Sequence, residues 1–292
     1  MSGNELQHRL VDFVRNEHLP EAYLELINSY LLPLADWIAV RKQPGKAFTL
    51  GVNGAQGSGK STMTEVLSLL LQYRCGLTTA RLSIDDLYLN QQQRSLLAKD
   101  IHPLLKTRGV PGTHDVQLGL DTLAALKQGR SVKLPRFDKG DDNPLPESVW
   151  PRCQGPVDII LFEGWCLGIT SQPEVMLSEH INELEANEDP DCVWRTYVNE
   201  QLKGQYQLLC RDLDALLFLQ TPGLDAVRRW RGEQEARLKP GKSTARMNSR
   251  QLMRFILHFE RLTGWAGQTL VHNADIVFAL DEKHAVINAH YR

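Results

Sequence analysis

Residues Lys46 to Leu71 read KAFTLGVNGAQGSGKSTMTEVLSLLL, an apolar run that passes through a glycine-rich turn and continues with helical spacing. Gly54-Ala55-Gln56-Gly57-Ser58-Gly59-Lys60-Ser61, followed by Thr62, fits the pattern G-x-x-x-x-G-K-[ST]. In that pattern glycines let the backbone wind until its N–H groups converge on phosphate oxygens. Phe48 to Val52 supplies the strand the pattern needs, and Met63, Val66, Leu67, Leu70 and Leu71 supply the helix. A helix starting near Lys60 aims the positive end of its dipole at a triphosphate tail. Lys60 adds a full charge, and Ser61 offers a hydroxyl to Mg²⁺. The loop alone leaves GTPase, transporter ATPase and kinase open.

The chain has 292 residues, enough for one α/β domain with appendages. Its 33 basic and 35 acidic residues nearly cancel, so no global field recruits nucleic acid or a membrane. Five scattered cysteines without C-x-x-C spacing are expected to be reduced thiols. The first residues lack the layout of a secretory signal, and no stretch reaches membrane-span length. The expectation is a cytoplasmic protein whose partner is a small molecule.

Upstream of the loop, residues 1–45 are expected to form a helical extension, with apolar spacing interrupted near Pro20 and Pro33. Residues 46–292 then form the nucleotide domain. Leu77 to Ile84 reads as a strand ending in Asp85-Asp86-Leu87-Tyr88, and strand ends of open parallel sheets face ligands. Asp85 is the candidate base, and a further candidate for Mg²⁺; a helix-capping role for either aspartate is the competing reading. Val157 to Trp165 is a buried-strand pattern ending at Glu163, a second carboxylate placed to hold Mg²⁺.

Between these strands lie Thr107 to Asp115 (TRGVPGTHD) and Val132 to Asp138 (VKLPRFD), followed by the polar loop Lys139 to Pro144. Arg108, His114, Arg136 and Lys139, with Asp115 beside them, form a candidate pocket for an anionic acceptor. Asp115 capping the next helix and a solvated surface loop are the alternatives. Asp214 to Gln220 and Ala274 to Leu280 read as further strands, with a tail helix over His284 to His290. Arg228-Arg229-Trp230-Arg231 opens a charged helix. It is either an exposed helix or a lid, around 222–247, that brings Arg228 or Arg231 to a transferring phosphoryl. The segment Lys239 to Asn248 is polar and expected to be mobile. About five strands alternating with helices give a doubly wound, mostly parallel α/β sheet.

GVNGAQGSGKST, LSIDDLY, RGVPGTHD, LPRFD, ILFEGW and RRWRGEQE follow in an order that resembles the P-loop kinases grouping phosphoribulokinase, uridine kinase and pantothenate kinase. The chain looks most like the plant-type D-glycerate 3-kinase branch and its bacterial relatives, over roughly Tyr30 to the C-terminus. The resemblance implies ATP-dependent phosphorylation of a small hydroxylated metabolite. It also implies Asp85 at the base position, Glu163 at the Mg²⁺ position and the arginine helix as the lid. The loop Asp138 to Pro146 is shorter than in plant-type glycerate kinases and lacks an arginine, and Leu87 stands where phenylalanine is usual. A nucleoside or pantothenate is the alternative acceptor, and a nucleotide-dependent switch the alternative class. The absence of an N-K-x-D motif argues against a GTPase.

Overall fold

In the computed structural model, which describes residues 3–237 and 247–292, a six-stranded sheet forms the centre of the molecule. Numbering only the strands of this sheet, β1 is Phe48–Gly54, β2 Thr79–Ser83, β3 Ile159–Gly164, β4 Ala215–Gln220, β5 Ile276–Leu280 and β6 Val286–Tyr291. Their spatial order is β6-β5-β4-β1-β3-β2. All neighbours are parallel except β6, which runs antiparallel to β5 at the edge.

Strand side chains alternate between two cores, as a sheet covered on both faces requires. Ile159 and Leu161 pack with Leu50, Leu67, Leu70 and the N-terminal helical residues Leu31, Leu34 and Ile38. Ile160 and Phe162 point the other way, into a core with Leu105, Leu126, Trp194, Leu202 and Leu262. Small residues on β1 permit close packing: a side chain at Gly51 would meet Leu213 at 2.6 Å.

Three aspartates set the strands at their starting ends. Asp158 accepts from the Thr78 backbone N–H at 2.9 Å, Asp214 from Thr49 at 2.7 Å, and Asp275 from Leu216 at 2.8 Å. Each carboxylate precedes one strand and satisfies a donor at the start of its neighbour, where a ladder bond would be missing.

The N-terminal helices are Gly3–Asn16 and a longer helical run from Tyr23 to Arg41. Pro20 lies in the break between them, but Pro33 does not interrupt the second. A wide π-type turn over Ile27–Leu31 precedes it and absorbs the missing donor. The tail helix expected over His284 to His290 is instead strand β6. Asp281 Oδ1 accepts from the N–H groups of Lys283 and Ala285, both at 2.8 Å, and His284 has φ 67°, so the chain turns back along β5. Of the lid expected over 222–247 and the polar segment Lys239 to Asn248, residues 238–246 lie outside the described residues. No helix among the described residues is long and apolar enough to cross a membrane.

Replacing Asp214 with alanine leaves the buried Thr49 N–H without its acceptor, at a cost of about 1–3 kcal/mol. The expected outcome is a lower urea midpoint with an unchanged KM for ATP, because the bond lies at the end of β1 opposite the glycine loop.

Candidate active site

The loop after β1 turns through Gly57 (φ 78°) and Gly59 (φ 88°), a conformation that strains any residue with a Cβ. Gly59 precedes the first turn of the helix Lys60–Tyr73. Gly54 and Ala55 are buried beneath the loop, and Gln56, Gly57, Ser58, Gly59, Lys60, Ser61 and Thr62 line a cleft of about 2140 Å³. That volume exceeds a single drug-sized pocket. Lys60 folds back over the loop, its Nζ donating to the Ala55 carbonyl at 3.1 Å. Burial lowers its pKa, against the opposing pull of the Glu163 and Asp85 carboxylates.

Register fixes the two acids. Glu163 on β3 pairs with Val52 of β1 on one side and Ser83 of β2 on the other. Its Oε1 accepts from the Ser61 hydroxyl at 2.9 Å, joining β3 to the first turn of the loop helix across 102 residues. Two hard oxygen donors from different elements thus converge beside Lys60, a donor set that fits a divalent cation.

Asp85 follows β2 in a short helical turn, Ile84–Leu87. Its Oδ1 accepts from the Tyr88 hydroxyl at 2.7 Å, and its Oδ2 from Lys139 Nζ at 2.6 Å. Burial pushes its pKa up, but the Lys139 ammonium, the Tyr88 hydroxyl and Lys60 outweigh it and hold the carboxyl well below the usual range. Asp86 has a different fate. It accepts from Arg136 Nη1 at 3.3 Å and from the Phe137 N–H at 3.2 Å, and burial raises its pKa. Asp86 therefore anchors the short strand Phe137–Asp138 that delivers Lys139.

Among the residues expected to bind an acceptor, Arg108, Arg136 and Lys139 line the cleft and His114 and Asp115 do not. Arg108 pairs with Asp142 and lies 5.7 Å from the centre of the Phe137 ring. His114 is 5% exposed, bonds Tyr206 through Nδ1 at 2.5 Å and stacks on Tyr88 at 4.6 Å. Burial depresses its pKa to about 4, so it is neutral near pH 7 and contributes no positive charge to the cleft. Asp115 caps the helix Val116–Lys127, accepting from the Leu118 N–H at 2.9 Å. Both residues instead brace the turn that carries Asp85, through the Tyr88–His114 bridge.

The arginine helix Leu224–Arg237 divides in the same way. Arg228 is directed to Glu260 at 3.0 Å and Asp225 at 3.1 Å and does not line the cleft, which corrects its expected position at the phosphoryl group. Arg229 and Arg231 do line it. Arg231 pairs with Glu235 at 2.9 Å and sits 5.4 Å from the centre of the Phe255 ring.

Four contributors escape sequence reasoning. Tyr88 bonds Asp85, and Asp142 orients Arg108. Arg94, 2% exposed, ties the carbonyls of Leu89, Lys106 and Asp142 together. His284, 227 residues beyond Gly57, reaches that loop carbonyl at 2.8 Å. Only Tyr88 carried a usable signal, its spacing of three residues from Asp85.

No family profile matches the chain. It is 32% identical over 233 residues, 75% of its length, to the uncharacterized kinase mug58 of Schizosaccharomyces pombe, covering 82% of that protein. It is 31% identical over 200 residues, 65% of its length, to the chloroplastic D-glycerate 3-kinase of Arabidopsis thaliana, but spans only 41% of that enzyme. Among solved structures, D-glycerate 3-kinase from Cryptococcus neoformans superposes with a TM-score of 0.73 at 23% identity, covering 90% of this chain and 99% of the other, a likeness of fold.

His114 and His258 both have pKa values depressed to about 4 by burial. A histidine kept neutral in the fold contributes stability above its unfolded pKa near 6.5, and loses it as pH falls toward 4, roughly 3 kcal/mol in all. Urea unfolding at pH 7, 6, 5 and 4.5 should therefore show falling stability above the carboxylate range. His114→Gln should flatten the slope by about half; an unaltered slope would mean that His114 charges freely in the fold.

Proposed function

We propose that this chain, which belongs to the P-loop kinases grouping phosphoribulokinase, uridine kinase, pantothenate kinase and D-glycerate 3-kinase, phosphorylates a hydroxyl of a small anionic acid, with D-glycerate the first candidate. It is an ATP-dependent small-molecule kinase. The observation that carries the acceptor reading is the cluster of Asp85, Lys139, Arg108 and Arg136 along the same cleft as the glycine loop. Each cation is paired with an aspartate of the same cleft, Lys139 with Asp85, Arg108 with Asp142 and Arg136 with Asp86, and an acid that brings its own negative charge can exchange for those partners. A nucleoside would call for stacking surfaces and amide bonds instead. The Arabidopsis relative, named as a D-glycerate 3-kinase, supports the same choice.

In the proposed mechanism the backbone of Gln56 to Thr62 and the Lys60 ammonium hold the nucleotide phosphates. Ser61 and Glu163 would hold Mg²⁺, which supplies charge neutralisation at the transferring group. Asp85 accepts the acceptor's hydroxyl proton as its oxygen bonds to the γ-phosphorus and ADP leaves. Arg231, on the arginine helix, is the residue proposed to face the transferred phosphoryl. Arg108 and Lys139 take the acceptor's carboxylate.

An ADP-release panel of hydroxy acids, nucleosides and pantothenate should give turnover with D-glycerate and none with the neutral nucleosides. Turnover with a nucleoside alone would replace this acceptor. Asp85→Asn keeps the shape and removes the proton acceptor, so kcat should fall by about 10²–10⁴ while KM for ATP changes little. A variant retaining full kcat would exclude Asp85 as the base.

A further inference from the structure

Lys139 does more than line the acceptor side of the cleft: it sits on the proposed base itself. Its Nζ lies 2.6 Å from Asp85 Oδ2, while the other carboxylate oxygen accepts from Tyr88 at 2.7 Å. Each oxygen of Asp85 is therefore already engaged by a donor.

The backbone beneath Lys139 is fixed. Asp138 Oδ1 accepts from the N–H groups of Gly140 at 2.7 Å and Asp141 at 3.2 Å. Asp142 is tied by the buried Arg94 through its side chain at 2.7 Å and its carbonyl at 3.0 Å. Phe137–Asp138 and Asn143–Pro144 pair antiparallel to make Lys139 part of a hairpin turn, and Gln91 holds its far side through the Asp141 carbonyl at 3.0 Å and the Asn143 side chain at 3.1 Å. The lysine side chain is different: it is 58% exposed and stands on a flexible four-carbon stem. It can leave Asp85 without moving the loop. Arg108, directed toward the same hairpin by Asp142 and the Lys139 carbonyl, is the neighbouring cation.

We propose that Lys139 guards Asp85: it occupies the carboxylate until an anionic acceptor takes the ammonium over, so that the base is released only when an acid, rather than water, is in place. This proposal rests on the reading of the cleft as a kinase site with an acidic acceptor. An ion-paired carboxylate is a weaker proton acceptor than a free one. Water attacking without an acceptor forms a bond to the γ-phosphorus as the bond to the β,γ-bridging oxygen breaks, and on this proposal its proton passes to Asp85. The guard opposes that step. An acceptor carboxylate seated between Arg108 and Lys139 draws the ammonium away and leaves Asp85 Oδ2 open to the acceptor's hydroxyl proton. Lys139 on this account binds the acceptor's carboxylate and governs the base through its contact with Asp85.

The test compares wild type, Lys139→Met, Lys139→Arg and the double variant Lys139→Met/Asp85→Asn. Acceptor-free ATP hydrolysis should rise at least about tenfold in Lys139→Met, return toward wild type in Lys139→Arg, and vanish in the double variant. With the acidic acceptor, Lys139→Met should raise KM about tenfold or more while kcat stays within about threefold. Lys139→Gln, with circular dichroism on every variant, guards against a folding artefact. Acceptor-free hydrolysis that stays at the wild-type level in both neutral variants, or that rises but survives Asp85→Asn, overturns the proposal. The hydrolysis arm needs no acceptor, so a wrong choice of acid leaves it readable.

Discussion

Strand β1 is hydrogen-bonded along its length between β3 and β4, and this double parallel pairing decides where the chemistry can be. Parallel neighbours end on the same edge, so the loop leaving β1, Glu163 on β3 and Asp85 beyond β2 emerge on one rim. With strands about 4.8 Å apart, Glu163 is one spacing from β1 and Asp85 two, about 10 Å. One acid is thus close enough to share a bond with Ser61 in the loop helix, and the other stands back by the width of a small acceptor. The aspartates at the opposite ends of the strands lock this register. A slip of one residue would turn Glu163 into a core and Phe162 into the cleft.

Within that frame electrostatics separates groups that look alike in sequence. Asp85 and Asp86 are adjacent and both line the cleft, yet one has its charge held by Lys139 and the other is committed to Arg136 and the Phe137 backbone. The pairing is mutual: the Lys139 pKa is raised, first by Asp85. Lys60 is the reverse case, a cation that burial works against and that two carboxylates sustain. A triphosphate entering beside it would supply the compensation that the carbonyl of Ala55 now supplies in part.

How much of this was legible in the sequence depended on whether the signal was local. The glycine loop is an uninterrupted pattern whose residues contact one another, and strand ends are marked by acids after apolar runs. The parallel sheet, the loop and the rim positions of Asp85 and Glu163 therefore follow from reading alone. Asp115 and His114 belong to an equally polar run, but their fate depends on Tyr88, Leu118 and Tyr206, up to 92 residues away. Arg228 and Arg229 illustrate the same limit: their partners Glu260 and Glu282 lie 32 and 53 residues away and carry no mark in the sequence, whereas Arg231 pairs with Glu235 one turn along its own helix. Strand β6 reads as a helix because six residues cannot separate a short helix from an edge strand by periodicity. The turn at Asp281 decides it.

That turn also completes the loop with which the chain's chemistry begins. A loop whose N–H groups converge inward for phosphate must direct carbonyls outward, and outward carbonyls need donors. Lys60 serves Ala55, and His284 serves Gly57. Because a carbonyl only accepts, His284 must carry its proton on Nε2 in this contact. The imidazole stacks on Trp230 at 4.2 Å, and the Trp230 indole donates to the Glu282 carbonyl at 3.0 Å. A side chain at Gly57 would collide with the Trp230 Cβ at 2.9 Å. The second glycine of the loop is therefore required twice, for its backbone conformation and for the approach of the arginine helix. The last hairpin, the arginine helix and the first loop meet at a single residue, so any movement of that helix bears directly on the cradle for the phosphates.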